Sequence, residues 1–113
     1  MRRARVATAH RAPDREPIRC TAGDTLTLGE RDTEWPDFIW AQLGNGQGGW
    51  IPAVLFAQAD GGAVITQDYD TRELEADPGD ELRLHTLLAD WWWAENANGT
   101  CGWIPARAIV LID

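Results

Sequence analysis

Apolar and polar residues alternate along this chain at a period of two, and a helical period is nowhere kept for more than a turn. Leu26 and Leu28, and again Leu82 and Leu84, stand between polar neighbours, as in a strand with one buried face. The pattern occurs twice. Trp40 to Ala53 (WAQLGNGQGGWIPA) and Trp93 to Ala106 (WAENANGTCGWIPA) share nine of fourteen residues, and Cys20 to Leu28 aligns with Ala76 to Leu84. The offset is 53 residues in the first pair of segments and 56 in the second, so three extra residues stand between Gly29 and Ile39 in the first copy. Differences of that kind belong in loops.

Asn45-Gly46 and Asn98-Gly99 predict hairpins with two-residue I′ turns, whose two central residues have positive φ. They would join a strand containing Trp40 or Trp93 to one containing Trp50-Ile51 or Trp103-Ile104. The Pro after each Ile cannot donate to a ladder and ends the strand. Inward positions follow in each copy: Ile18, Cys20, Leu26, Leu28, Ala41, Ile51 and Phe56, against Leu74, Ala76, Leu82, Leu84, Ala94, Ile104 and Ile109. Units of about 55 residues lie near the lower limit for independent folding. Ala57 to Gly62, small and polar with a Gly pair, is the expected boundary between residues 1–57 and 62–113.

The second copy resembles the Src homology 3 (SH3) domain, especially its bacterial SH3-like variants. Asp68-Tyr69 is similar to the end of the ALYDY motif, Glu73-Leu74-Glu75-Ala76 to ELSF, and Gly79-Asp80 to the turn that follows. Asp90 to Ala94 fits the paired-Trp strand, and Gly102-Trp103-Ile104-Pro105 the Gly-aromatic-Ile-Pro segment. In the first copy Pro13 stands at the position of Tyr69 and Phe38 at that of the first Trp, while Gly49-Trp50-Ile51-Pro52 is fully in pattern. The resemblance implies an all-β fold of two tandem five-stranded small barrels.

It also implies a groove for extended Pro-rich peptides. Carried over position by position, the second copy keeps Tyr69, Trp91, Trp103 and Pro105, with Gln67 and Ala108 where the family has tyrosines. The first keeps Phe38, Trp50 and Pro52, with Arg11, Pro13 and Leu55 at the rest. Only Asp70, Thr71 and Arg72 separate Tyr69 from Glu73, so the acid-bearing loop of typical SH3 domains is cut short; Asp68, Asp70 and Glu73 are its candidate acids. An aromatic ridge suits a polyproline II segment, which is already extended. Losing two tyrosines removes roughly half of that ridge.

Charge adds a preference. The net charge of −8 falls on residues 58–113, with three Arg against eleven acids, while residues 1–57 carry seven of each. Acid beside an aromatic groove favours a basic ligand and disfavours nucleic acid. Catalysis is not expected. His10 and His85 are the only imidazoles, Ser is absent, and no nucleophile has a recognisable base or elbow. Cys20 and Cys101 lack partners at metal-ligand spacing, so neither metal nor cofactor is expected. Cys20 reads as a small core residue and Cys101 as a hairpin residue.

The N-terminal arginines lack the apolar run of a signal peptide, and no segment reaches membrane-spanning length, so a cytoplasmic setting without membrane contact is expected. Seven Trp in 113 residues need a use. Alternation points Trp92, Ile39 and Ala41 inward and Trp91, Trp93, Phe38 and Trp40 outward. Two uses remain open. One is a protein-binding module or adaptor whose second barrel takes a basic or Pro-containing segment. The other is a structural tandem or homodimer with the aromatics buried at interfaces. Cell-wall binding would require export.

Overall fold

The computed structural model describes residues 2–59 and 62–112. They form twelve strands and two three-residue 3-10 turns, and no α-helix is present among them. The strands are β1 (Arg2–Val6), β2 (Arg19–Cys20), β3 (Thr25–Arg31), β4 (Phe38–Gln42), β5 (Gly48–Pro52), β6 (Phe56–Ala59), β7 (Gly62–Ile65), β8 (Tyr69–Asp70), β9 (Glu81–Leu88), β10 (Trp91–Glu95), β11 (Cys101–Pro105) and β12 (Ile109–Leu111). Two five-stranded antiparallel sheets result, β5-β4-β3-β7-β6 and β11-β10-β9-β1-β12, with β2 and β8 paired apart. The all-β expectation stands. The expected division of the chain does not.

One compact unit is continuous, Glu16–Thr71; the other is split, Met1–Arg15 with Arg72–Asp113. Strand β1 opens the first sequence copy yet lies between β9 and β12 of the second copy's sheet, with Ala4 opposite Leu82 and Val6 opposite Ile109. Strand β7, from the second copy, pairs instead with β3 and β6. The exchange is possible because the two strands are interchangeable in pattern. Ala4 and Val6 are buried on one face of β1, as Ala63 and Ile65 are on β7. Each strand also makes the same turn contact, Gly79 N–H to Val6 O at 2.8 Å and Gly23 N–H to Ile65 O at 2.9 Å. What breaks the tie is the stretch Asp70 to Arg72, which spans at most about 11 Å and gives the chain little room to reverse onto its own copy.

The boundary expected at Ala57 to Gly62 is instead a hairpin inside the continuous unit, with Ala59 opposite Gly62; Asp60 and Gly61 lie outside the described residues. Each 3-10 turn, Ala53–Leu55 and Ala106–Ala108, follows the Pro that ends a strand. Both Asn-Gly hairpins form, with a different turn. Only Gly46 (φ +88) and Gly99 (φ +85) are left-handed there. Gly46 N–H bonds Leu43 O at 3.0 Å and Leu43 N–H bonds Gln47 O at 2.8 Å, the three-residue loop that ends on a left-handed Gly.

Most expected inward positions are buried: Ile18, Cys20, Leu26, Ala41 and Ile51 in the continuous unit, and Leu74, Ala76, Leu82, Leu84, Ala94 and Ile104 in the split one. Leu28, Phe56 and Ile109 are half-buried. Trp92 is half-buried and packs on the split unit's core, as its inward assignment requires. Phe38 reverses its assignment and is buried, while Ile39 is half-buried. Phe38 opens β4 opposite Pro52, which is buried with it.

Candidate ligand-binding site

The ridge begins with strand register. In the continuous unit Phe38 faces Pro52 and Trp40 faces Trp50; in the split unit Trp91 faces Pro105 and Trp93 faces Trp103. The outward pair Trp40 and Trp93 each finds a partner within its own sheet. Trp40 meets Trp50, and Trp93 meets Trp103, edge to face with ring centroids 5.3 Å apart in both. Such pairs add about 0.5–1.5 kcal/mol beyond the area they bury.

The exchange of β1 and β7 redistributes the proposed groove. Tyr69, Asp68 and Asp70 belong to the continuous unit, where Tyr69 pairs with Cys20. Glu73, Trp91, Trp103 and Pro105 belong to the split unit. The seven residues assigned to the second copy are therefore divided between the two units, and Tyr69 falls in the same unit as Phe38, Trp50 and Pro52. In the split unit the place of Tyr69 is taken by His10, bridged to Ala76 as Tyr69 is to Cys20. Pro13, the counterpart chosen from sequence, is exposed in the stretch beyond it.

His10 is fixed on two sides. Its Nε2 lies 2.8 Å from Glu73 Oε1, and its ring meets Trp91 edge-on at 5.5 Å. Arg11 donates to Ala76 O and to the Asp77 carboxylate, and the latter pushes its guanidinium pKa further up. Glu73 is therefore a partner of His10 and not a free wall acid. Gly102 is required beneath it, because a Cβ there would stand 2.7 Å from Leu74 N and 2.8 Å from Glu73 C.

In the continuous unit the two candidate acids also have internal uses. Asp68 Oδ1 accepts the Ala22 N–H at 2.8 Å, and Asp70 lies 3.5 Å from the Arg19 guanidinium. Other acids stand at the far end of the Phe38-Pro52 pair. The loop between β3 and β4 holds Asp32, Glu34 and Asp37. Asp37 O accepts the N–H of Ala53, the residue after Pro52, and Asp32 N–H bonds Phe38 O, so both loop ends are tied to the Phe38-Pro52 end of the ridge. The three extra residues of the first copy lie in this loop.

Charge is redistributed with the strands. The continuous unit holds two Arg (19 and 31) against nine acids, net −7; the split unit holds eight Arg against nine acids, net −1. The split unit keeps eight of the second copy's eleven acids and is near neutral because residues 1–15 bring it five Arg, which leaves the net charge on the continuous unit. The ridge itself is largely closed: Phe38, Tyr69 and Trp103 are each 8% exposed and both prolines are buried, leaving Trp50 and Trp91 half-buried.

Cys20 is a buried core residue, as expected. Burial pushes its thiol pKa up, and Asp24 and Asp70 add to that; for Cys101 desolvation leads and Glu95 follows.

Residues 3–55 match the variant SH3 domain family, a stretch that runs across the point where the chain leaves the split unit. Over 47 residues, 38% of this chain, the sequence is 45% identical to protein arginine N-methyltransferase 2 of Xenopus laevis. The match spans 11% of that protein, so the chemistry in its name is not carried across. No solved structure matches the chain with significance. Among the described residues no helix is long and apolar enough to cross a membrane. The SH3 resemblance is therefore shown over residues 3–55, and an SH3-like domain is in general a non-catalytic binding module.

Proposed function

We propose that this SH3-family chain is a protein-binding module made of two SH3-like barrels, in which the continuous unit takes a basic segment of a protein partner. The observation that carries this reading is the placement of charge. A net −7 is gathered in one unit, and its Asp32, Glu34 and Asp37 loop is tied to Phe38 and Ala53 at the end of the aromatic ridge. Acids at such a rim steer and orient a cationic ligand more than they add raw affinity. A half-buried Trp50 offers a flat face on which an Arg side chain can stack.

The burial of Phe38, Tyr69 and Pro52 argues against a polyproline helix laid along the whole ridge, so charge ranks above proline content in the ligand. Nucleic acid is disfavoured, since two Arg cannot neutralise a run of phosphates. The test is titration of Arg-rich peptides, with and without Pro, followed by tryptophan fluorescence. Binding should weaken with salt and with Asp37→Asn plus Glu34→Gln, and should not depend on Pro.

A second reading has one observation in its favour, the closure of Phe38, Tyr69 and Trp103 within the protein. On that reading the aromatics are structural and the chain works as a tandem scaffold or a homodimer. No peptide response at millimolar concentration, with a sedimentation mass that rises toward a dimer as protein concentration rises, would favour it.

A further inference from the structure

Three side chains of metal-ligating type meet on the outer face of the split unit's sheet. Glu95 on β10 and Cys101 on β11 are direct register partners. His85 on β9 stands where the register with β10 slips, since Trp93 faces Thr86 and Ala94 faces Leu84. A bulge re-aims the extra residue. Here it sets His85 Nε2 at 3.1 Å from Glu95 Oε1, and the imidazole, carboxylate and thiol ligand atoms all lie within 4.8 Å of one another.

The continuous unit supplies an internal control. By the repeat offsets its counterparts of His85, Glu95 and Cys101 are Gly29, Gln42 and Gly48. A Cβ at Gly48 would stand 2.6 Å from the Trp40 ring and one at Gly29 would stand 3.3 Å from it. In that sheet an indole fills the place that donors occupy in the other. Three metal-ligating residues at three matched positions, against none in the sister sheet, are not required by the shared fold.

The geometry points to a Zn²⁺ site in which His85 Nε2, a Glu95 carboxylate oxygen and Cys101 Sγ are the protein ligands and water takes the fourth position. One nitrogen, one oxygen and one sulfur donor fit zinc, whereas Mg²⁺ and Ca²⁺ take oxygen ligands. Tetrahedral zinc separates its ligand atoms by about 3.3–3.6 Å, so the side chains need to draw together by roughly 1 Å from their widest spacing. All three sit on the outer face over Leu84, Ala94 and Gly102, so rotation there leaves the core in place. Binding releases the thiol proton and any proton shared between His85 and Glu95.

Co²⁺ is the spectroscopic probe, titrated into the full chain under a non-thiol reductant and then displaced by Zn²⁺. One equivalent should give thiolate-to-metal charge transfer and tetrahedral ligand-field bands. Cys101→Ser should abolish the charge-transfer band, while Cys20→Ala, which places the sister unit's Ala76 residue at that position, should keep it. His85→Ala and Glu95→Gln should each weaken binding by about tenfold or more. Zinc should raise the melting temperature of the wild type and not of the variants, and circular dichroism of the metal-free variants should match the wild type. A missing band in the wild type, a band surviving in Cys101→Ser, or unchanged affinity in both His85→Ala and Glu95→Gln would overturn the assignment.

Discussion

The two sheets share a register and diverge on one patch of outer face. In the continuous unit the Trp40 ring lies against Gly29 and Gly48. In the split unit the same positions carry His85 and Cys101 beside Glu95. A repeated fold can thus keep its hydrogen-bond ladder and its Trp–Trp contact in both copies while one patch of outer face sets an indole against glycines and the other carries a cluster of donors. Strand alternation makes this cheap, because outward residues do not touch the core.

The divergence extends to the opening strand. Each sheet takes its inner fourth strand from the other sequence copy, and single substitutions can show which strand serves which sheet. Val6, 2% exposed on β1, and Ile65, 1% exposed on β7, hold matching places. Val6→Asp should unfold the split unit, since an unpaired buried charge costs several kcal/mol. Amide exchange would then rise across residues 72–112 and stay slow in 18–56; Ile65→Asp should do the reverse. Protection lost in 18–56 on Val6→Asp would mean that the copies keep their own strands.

A smaller effect separates the sheets at one glycine pair. A Cβ on Gly102 meets backbone of Glu73 and Leu74 at 2.7–2.8 Å, whereas on Gly49 it meets side chains of Thr71 and Ile18 at 3.1–3.2 Å. Side chains can give way and backbone cannot. Gly102→Ala should cost about 3 kcal/mol and Gly49→Ala about 1 kcal/mol in urea unfolding. Equal costs would remove this distinction between the units.

Trp92 and Ile39 hold matching positions in β10 and β4, and both are half-buried. Trp92 packs against the split unit's core cluster. Its truncation to Ala should cost about 3 kcal/mol and that of Ile39 about 2 kcal/mol, each measured in its own unit by denaturant unfolding. A loss below about 1 kcal/mol for Trp92→Ala would mean that the ring serves the surface.

The all-β class, the hairpins, most of the core and the paired ridge register were legible because each rests on alternation within one copy. The exchange was not, because Ala4-Arg5-Val6 and Ala63-Val64-Ile65 offer the same buried-exposed-buried pattern and alternation cannot say which sheet receives it. The division of the groove residues between the units follows from that ambiguity, since Tyr69 travels with β7 and His10 with β1. The short stretch from Asp70 to Arg72 is the signal the sequence carries, and by alternation alone it is equally a trimmed loop. His85, Glu95 and Cys101 escaped notice because their spacing matches no ligand motif; only a bulge and a cross-strand pair unite them.

The smallest effect concerns turns, where sequence and structure disagree in an instructive way. The Asn-Gly pairs stand in loops that need one left-handed residue, while the two-residue link between β9 and β10 is Ala89-Asp90, with φ of 51° and 68°. Two left-handed central residues make the I′ turn, for which Asn-Gly is the favoured sequence and Ala is poor. The corresponding connection in the continuous unit, residues 32–37, is longer and has no positive φ among its residues. Replacing Ala89-Asp90 by Asn-Gly should therefore stabilise the split unit by about 1 kcal/mol, the strain of one left-handed Ala together with that of Asp90 less the added chain freedom of Gly. The gain should show in chemical unfolding of the split unit and leave exchange rates in the continuous unit unchanged. A loss of stability would mean that the Asp90 side chain holds the turn, because the substitution removes that carboxylate while keeping both φ angles accessible.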